Sequence, residues 1–331
     1  MGASSRLRFY RYRKLLAENA IHADIHPLLG DGYLKRLYSN RPAKMHAYCA
    51  MLKRFLQIPF MKRDLLIEYE LLPFVPLETE MAILRGHNYI LSFDDAVWEK
   101  YRNTRFEGKF EQLAAAANGV ITANDELTEH LRPYNANILK VPTAIDLERY
   151  QEHEAEKFPV FTVVWIGTPV TYTECLLPFA GILKAAADKF DFELLVIAKK
   201  DVPVIPGVNM MCVDWSEAAE IDLLKRSHIG IMPLLDNDFM RGKSAYKIIQ
   251  YLGAGIPAIA SPVGENKNVL IPDKTGFFAS SAKEWLKAFE QLYLDAALRE
   301  EMSRNAAIAA QEYSMRKHAA RIANFIEKCF A

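Results

Sequence analysis

The sequence predicts an α/β protein built from two parallel-sheet domains. Three observations carry that expectation. The chain has 331 residues, more than one ordinary core accommodates and suited to two domains of roughly 150 residues. Short apolar runs alternate with longer helical periods in both halves. Between the halves lies an acidic, strand-poor stretch, "DLERYQEHEAEKFP" (146–159), which reads as a linker.

In the first half "DLLIEY" (64–69), "YILSFDD" (89–95), "GVITAN" (119–124) and "NILKVP" (137–142) read as buried strands, with a helix over "RFEGKFEQLAAAA" (105–117). In the second half the strands are "FTVVWIG" (161–167), "ELLVIA" (193–198), "NMMCVD" (209–214), "IGIMPL" (229–234) and "PAIASP" (257–262). The helices between them are "TECLLPFAGILKAAADKF" (173–190), "AAEIDLLKRS" (218–227) and "SAYKIIQYLGAG" (244–255). From about Ala282 the tail is helical. The expected division is 1–155, 156–312, and a terminal helix, 313–331, that returns to the first domain.

Composition narrows the class. Apolar residues make up 51% and charged residues 25%, as in a globular chain. No apolar run reaches the ~18 residues of a membrane-spanning helix. The start, "MGASSRLRFYRYRK", has no apolar core or cleavage site of a secretory signal. Cys49, Cys175, Cys212 and Cys329 are scattered, which reads as free thiols in a reducing, cytoplasmic setting. Net charge is zero but unevenly spread. Residues 1–63 hold thirteen Lys and Arg against Glu18, Asp24 and Asp31, a net of +10, so the remaining 268 residues carry −10. From Tyr33 to Arg63 there is no acid, and Tyr38, Tyr48, Phe55 and Phe60 interleave the basic residues. Such a segment suits peripheral contact with an anionic membrane; a solvated helical face is the other reading. It comes with no recognisable nucleic-acid module, so no nucleic acid is expected as a partner.

Ligands in open α/β sheets bind outside the carboxyl ends of the strands, which nominates the loops after Phe93, Gly167, Ala198, Asp214, Leu234 and Pro262. "YLGAGIPA" matches the glycine spacing of a dinucleotide loop, G-x-G-x-x-A. That fingerprint needs a strand before the glycines and a long helix after them. Here Ala245, Ile248, Ile249 and Leu252 put a helix before them, and Pro262 follows too soon for a helix after. The segment therefore reads helix, glycine stop, strand, with Ser244 as N-cap and Gly255 as the stop. The chemistry moves to the start of that helix. Its N–H groups and dipole favour phosphate, Arg241, Lys243 and Lys247 add positive charge, and Gln250 offers an amide suited to a sugar diol.

"GKSAYKIIQYLGAGIPAIASPVGEN" resembles the donor-site segment of the family 4 glycosyltransferases, group 1 type. "VVWIGTP", "HIGIMPL", "ILKVPTAIDLERY", "GASSRLRFYRY" and "LSFDDAVW" resemble further parts of that family. The resemblance implies the GT-B fold: two Rossmann-like parallel-sheet domains facing across a cleft. It also implies transfer of a sugar, with retention, from a nucleotide diphosphate sugar to a hydroxyl acceptor, a glycan or a lipid-linked molecule of cell-surface polysaccharide or glycolipid assembly. No cofactor and no metal would be needed. The family's two glutamates, with seven residues between them, fall on Gly242 and Gln250, and the chain instead matches a subset reading G-K-x-x-x-K-x-x-Q-Y.

Carried over residue by residue, the backbone of Ser244, Ala245 and Tyr246 would hold the diphosphate, with Arg241 and Gly242 beside it. Lys243 and Lys247 would neutralise the leaving group. Gly167 and Thr168 would admit phosphate, and Asp214 and Trp215 would flank the base, although Trp215 also suits a core. Where the family has an apolar strand before the A-S-S-R loop, this chain has Met1 and Gly2, so either the start is truncated or the first sheet lacks its first strand. Ser4, Ser5, Arg6 and Arg8 are acceptor-side candidates. Asp94 and Asp95 follow a strand and are read as orienting acceptor hydroxyls, with a helix cap or a metal site as the other readings. His22 and His26 have zinc-ligand spacing but lack the glutamate of H-E-x-x-H. Two other functions fit the same fold: a nucleotide-sugar epimerase, and a non-catalytic nucleotide-sugar-binding subunit.

Overall fold

Every apolar run expected as a strand forms one in the computed structural model, which describes residues 3–30, 32–33, 36 and 43–331. Lys35, Tyr38 and Arg41, part of the expected basic surface, lie outside the described residues. Two compact units emerge. The first comprises residues up to Thr143, the segment Gly242–Ser244, and Met315–Ala331. The second comprises Ala144–Arg241 and Ala245–Ser314.

The first unit holds a four-stranded parallel sheet in sequence order: β1 (Asp64–Glu68), β2 (Asn88–Phe93), β3 (Gly119–Thr122) and β4 (Ile138–Lys140). Every strand pair runs parallel, with Ile67 opposite Leu91 and Phe93 opposite Thr122. Parallel strands covered on both faces carry continuous apolar runs, hence the buried "NYILSF" and "GVIT". Among the described residues no strand precedes β1; Ala3–Glu18 is helical almost throughout. The terminal helix, Met315–Phe330, packs on this unit: a Cβ at Gly119 on β3 would sit 2.7 Å from both Cys329 Sγ and the Phe325 ring.

The first unit also buries an ionic network. The Lys109 ammonium lies 2.7 Å from carboxylate oxygens of both Glu70 and Glu80 and donates to the Leu72 carbonyl at 2.8 Å. Glu80 in turn accepts from the Leu71 amide, and Tyr101 donates to Glu70. Burying one lysine against two carboxylates is tolerable only because nearly every polar atom of the group is bonded.

The second unit holds a six-stranded parallel sheet in the order β10-β9-β8-β5-β6-β7. Its strands are β5 (Thr162–Ile166), β6 (Glu193–Ala198), β7 (Met210–Asp214), β8 (Ile229–Met232), β9 (Ala258–Ala260) and β10 (Gly276–Phe278). β10 was not among the expected strands; Phe277 and Phe278 stand between "PDKTG" and "ASS" with no longer apolar run around them. Its start needs glycine, because Gly276 has φ +151° and a Cβ there would lie 1.9 Å from the Ala258 carbonyl oxygen.

The compact units divide at Thr143/Ala144, beside an expected boundary at 155/156. Two local expectations are corrected. The presumed linker carries a helix, Leu147–Glu152, whose Leu147 and Tyr150 are buried in the second unit's core. Its acidic residues face outward, and its two apolar positions sufficed to dock it. The helix expected over 173–190 is regular only from Ala180 to Ala187. Wider and tighter turns precede it, where Pro178 lacks the N–H an α-helix would use.

Candidate functional site

In the second unit the helix Tyr246–Ala254 connects β8 to the parallel strand β9. A crossover between parallel strands must return along the sheet, so its first turn lies at the carboxyl ends of the strands. Tyr251 fixes the packing. Its hydroxyl donates to the carbonyls of Ile231 (3.0 Å) and Val164 (3.3 Å), and its ring fills the space a Cβ at Gly230 would take. Gly255 ends the helix as expected, in the left-handed region at φ +64°. Its amide bonds the Leu252 carbonyl and that of Ile256 bonds Tyr251, the Schellman arrangement.

The helix start differs from expectation. Ser244 is not the N-cap; Ala245 is, at φ +51°, with no side-chain cap bond. A serine cap requires extended backbone and a hydroxyl turned into the first turn. Here the left-handed bend at Ala245 sets the geometry instead. A non-glycine residue held there is strained, and such strain concentrates at functional sites. Upstream, Arg241 is exposed and pairs with Asp236 (2.7 Å) and Asp238 (3.2 Å). Gly264, φ +51°, closes over it: a Cβ there would sit 2.2 Å from the Arg241 carbonyl oxygen. The loop before the helix and the turn after β9 are thus in contact.

Lys247, in the first turn, places its ammonium 5.2 Å from the centre of the Trp165 ring on β5. That ring occupies the space above Gly167, where a Cβ would lie 2.4 Å from the indole, and Thr171 Oγ1 fills the other side at 2.6 Å. Internal packing alone therefore demands glycine at 167. Thr168 caps the short helix Pro169–Thr171 in a reciprocal capping box. Lys247, Trp165, Gly167 and Thr168 form one neighbourhood. At the end of β7, Asp214 accepts from the Lys200 amide at 2.9 Å, which brings the Lys199–Lys200 loop to the same sheet edge. Trp215 is half-buried against the core, its indole N–H bonded to Glu220 at 2.5 Å. Gln250 is 3% exposed, so little of its amide is accessible.

The first unit gathers a second set of groups at the carboxyl ends of its strands. Asn124 caps the helix Asp125–Leu131 by accepting from the Leu127 amide at 2.8 Å. Its amide nitrogen donates to the carbonyls of Gly242 (2.8 Å) and Lys243 (3.2 Å). A Cβ at Gly242 would lie 2.5 Å from that of Ala96, so the segment is held close. This hold brings the Lys243 ammonium to 3.5 Å from the Asp95 carboxylate. Asp94, 7% exposed, accepts from the Tyr69 hydroxyl. Glu68 accepts from Ser5 at 2.5 Å. Arg8 donates to Ser92 Oγ (3.1 Å) and to the Val141 carbonyl (2.9 Å), and Tyr69 also reaches Ser4 at 3.4 Å. Ser4, Ser5 and Arg8 thus join the aspartates; Arg6 enters none of these bonds.

Burial raises the Glu68 carboxyl to about 7 against the pull of Ser5, with the negative Asp94 adding to the rise. Burial likewise raises Asp95 to about 6, offset in part by the Lys243 charge and reinforced by Asp94. The Tyr69 phenol is driven well up by burial and then by Asp94, Asp95 and Glu68. Two carboxyls that change protonation near neutrality, beside a hydroxyl donor, suit proton exchange with a hydroxyl ligand. Sequence reasoning missed Glu68, Tyr69, Ser92 and Asn124. The carboxyl-end rule, applied to β1 as it was to β2, points at the first two. Tyr69, at φ +60°, is a second strained residue. His22 and His26 lie outside any helix. Among the described residues, no three or more of His, Cys, Asp and Glu gather as metal ligands.

No protein-family model and no curated protein matches the chain. Solved structures do. Sucrose-phosphate synthase from Thermosynechococcus elongatus is 14% identical, with a TM-score of 0.64 over 89% of this chain and 79% of that one. The E. coli trehalose-6-phosphate protein bound with UDP-2-fluoro glucose is 11% identical, TM-score 0.62, over 89% and 82%. The pneumococcal O-GlcNAc transferase GtfA, solved with UDP and GlcNAc, is 12% identical, TM-score 0.61, over 85% of this chain and 60% of that one. The chain thus has the α/β architecture of these GT-B glycosyltransferases, with one four-stranded and one six-stranded parallel sheet.

Proposed function

We propose that the chain is a glycosyltransferase taking a sugar from a uridine diphosphate sugar. The observation that carries this reading is the neighbourhood of the Tyr246 helix start. A strained bend at Ala245, the Lys247 charge over Trp165 and the tight Gly167–Thr168 turn stand together at the carboxyl edge of the six-stranded sheet. A helix start beside fixed positive charge favours a diphosphate, and UDP or a UDP-sugar accompanies two of the neighbours on the same fold. In this reading the amides of Ala245 and Tyr246 hold the diphosphate. Lys247 offsets the charge that grows on the departing phosphate, with Lys243 assisting. Electrostatic stabilisation is then the main catalytic contribution. The resemblance of the motif favours retention, with the departing phosphate taking the acceptor proton and no metal required. Asp94 and Asp95 orient the acceptor hydroxyl, and a cell-surface glycan or glycolipid is the acceptor class.

The near-neutral carboxyls of Glu68 and Asp95 also suit a nucleotide-sugar epimerase, which needs an acid and a base. A thermal-shift screen against UDP-, GDP- and ADP-sugars tests donor binding; ligands that bind the folded state raise its midpoint. Incubating the stabilising donor without acceptor then separates the readings. A changed sugar on the intact nucleotide means epimerase; a donor left unchanged until a hydroxyl acceptor is added, and then consumed, means transferase; a donor bound but never turned over means a binding subunit. If no nucleotide-sugar shifts the midpoint, the donor assignment fails.

A further inference from the structure

We propose that the helix Lys44–Gln57 and the turn Ile58–Phe60 are a docking surface for an anionic lipid bilayer. This inference stands apart from the donor assignment and uses none of its residues. The helix carries its apolar side chains outward. Met45 is 71% exposed, Tyr48 69%, Leu52 63%, Leu56 67%, and Phe60, just beyond, 86%. At about 100° per residue, Met45, Tyr48, Leu52, Phe55 and Leu56 fall within an arc of about 100°, one continuous stripe. The opposite side, with Ala47, Met51, Arg54 and Ile58, is half-buried, and Met51 packs against the first unit's core. Arg54 is tied down by a bond to the His26 carbonyl. The helix is therefore anchored through its less apolar side, the reverse of a helix facing water.

The charges name the occupant. Lys44, Lys53, Lys62 and Arg63 are exposed around the stripe. Among the described residues, Lys62 alone of these has an acidic partner, Asp24 at 2.7 Å, itself exposed. No acid occurs between Tyr33 and Arg63, and Asp64, the next, accepts from Asn88. Aromatic and aliphatic side chains flanked by lysine and arginine match the boundary between anionic headgroups and acyl chains. A second copy of the same surface would set these cations against each other. Fourteen residues span about 21 Å as a helix, and among the described residues no helix is long and apolar enough to cross a membrane. The surface lies on the bilayer.

Flotation of the full chain with vesicles tests this. The expected result is binding to phosphatidylcholine vesicles containing about a third phosphatidylglycerol, little binding to phosphatidylcholine alone, and release by high salt. Leu52→Glu with Leu56→Glu should cut the bound fraction about tenfold or more at an unchanged thermal midpoint. Lys53→Ala should weaken binding to the anionic vesicles only. No flotation with anionic vesicles at low salt overturns the proposal, and so does equal flotation of the double variant. A concentration-dependent dimer that the double variant dissolves would also overturn it, by making a second copy the occupant.

Discussion

Removing Lys243 should expose how the Asp95 carboxyl is held. The two charges stand 3.5 Å apart. At an effective dielectric of about 20, opposite unit charges at that distance attract by about 4–5 kcal/mol before desolvation is counted. Desolvation consumes much of this, because burial is the largest influence on Asp95 and keeps its carboxyl near 6 even with the lysine present. In Lys243→Ala the carboxyl keeps the burial and the repulsion of Asp94 and loses its main attraction. Its proton affinity rises further, by an amount we place at about 1–3 kcal/mol.

The sign follows from linkage. Below pH 5 Asp95 is protonated in the folded state with or without Lys243, so the substitution should cost little there. At pH 8 the folded wild type holds an ionised Asp95 against Lys243, whereas the variant must either protonate it or bury it unpaired. The cost should therefore grow to about 1–3 kcal/mol at pH 8. Urea denaturation of both proteins at pH 5 and pH 8 reads the difference directly. A loss of stability equal at both pH values would refute the pairing.

Three further expectations follow from named contacts. Lys109→Met leaves Glu70 and Glu80 facing each other in the core and should cost about 3–5 kcal/mol by chemical denaturation. Gly264→Ala forces a Cβ against the Arg241 carbonyl at a left-handed φ; it should lower stability by about 2 kcal/mol or more and disturb the loop before the Tyr246 helix, read as a lower thermal midpoint. The raised Glu68 carboxyl favours the folded state below its unfolded value, near 4.5, and loses that advantage as pH rises through about 7. Wild-type stability should fall across that window by on the order of 2 kcal/mol from this group, and Glu68→Gln should flatten the fall.

What the sequence disclosed followed from local pattern. Runs such as "FTVVWIG" and "ELLVIA" are long, apolar and bounded, so β5 and β6 were legible. β10 was not, because Phe277 and Phe278 have no longer apolar run around them and its place is set by Gly276 meeting Ala258. Gly255 before Pro257 announced a helix end by backbone chemistry alone. The helix start was misread because Ser244 has the right side chain, while the left-handed bend at Ala245 depends on tertiary packing. The positive charge of Lys243 and the pair Asp94-Asp95 were visible as residue types. Their union was not, since it runs through Asn124 and joins residues distant in the chain. The basic, aromatic character of 44–63 was equally plain in the sequence, but which side of the helix faces outward is decided by where Met51 finds its core.

If the Tyr246 helix start and Lys247 bind a nucleoside diphosphate, calorimetric titration of UDP into the full chain and into Lys247→Ala will read it. Saturable one-site binding to the wild type is expected. Binding to the variant should be at least about tenfold weaker, as befits one charge-assisted contact, with the thermal midpoint of the free protein unchanged. Equal affinity for both proteins would contradict the assignment.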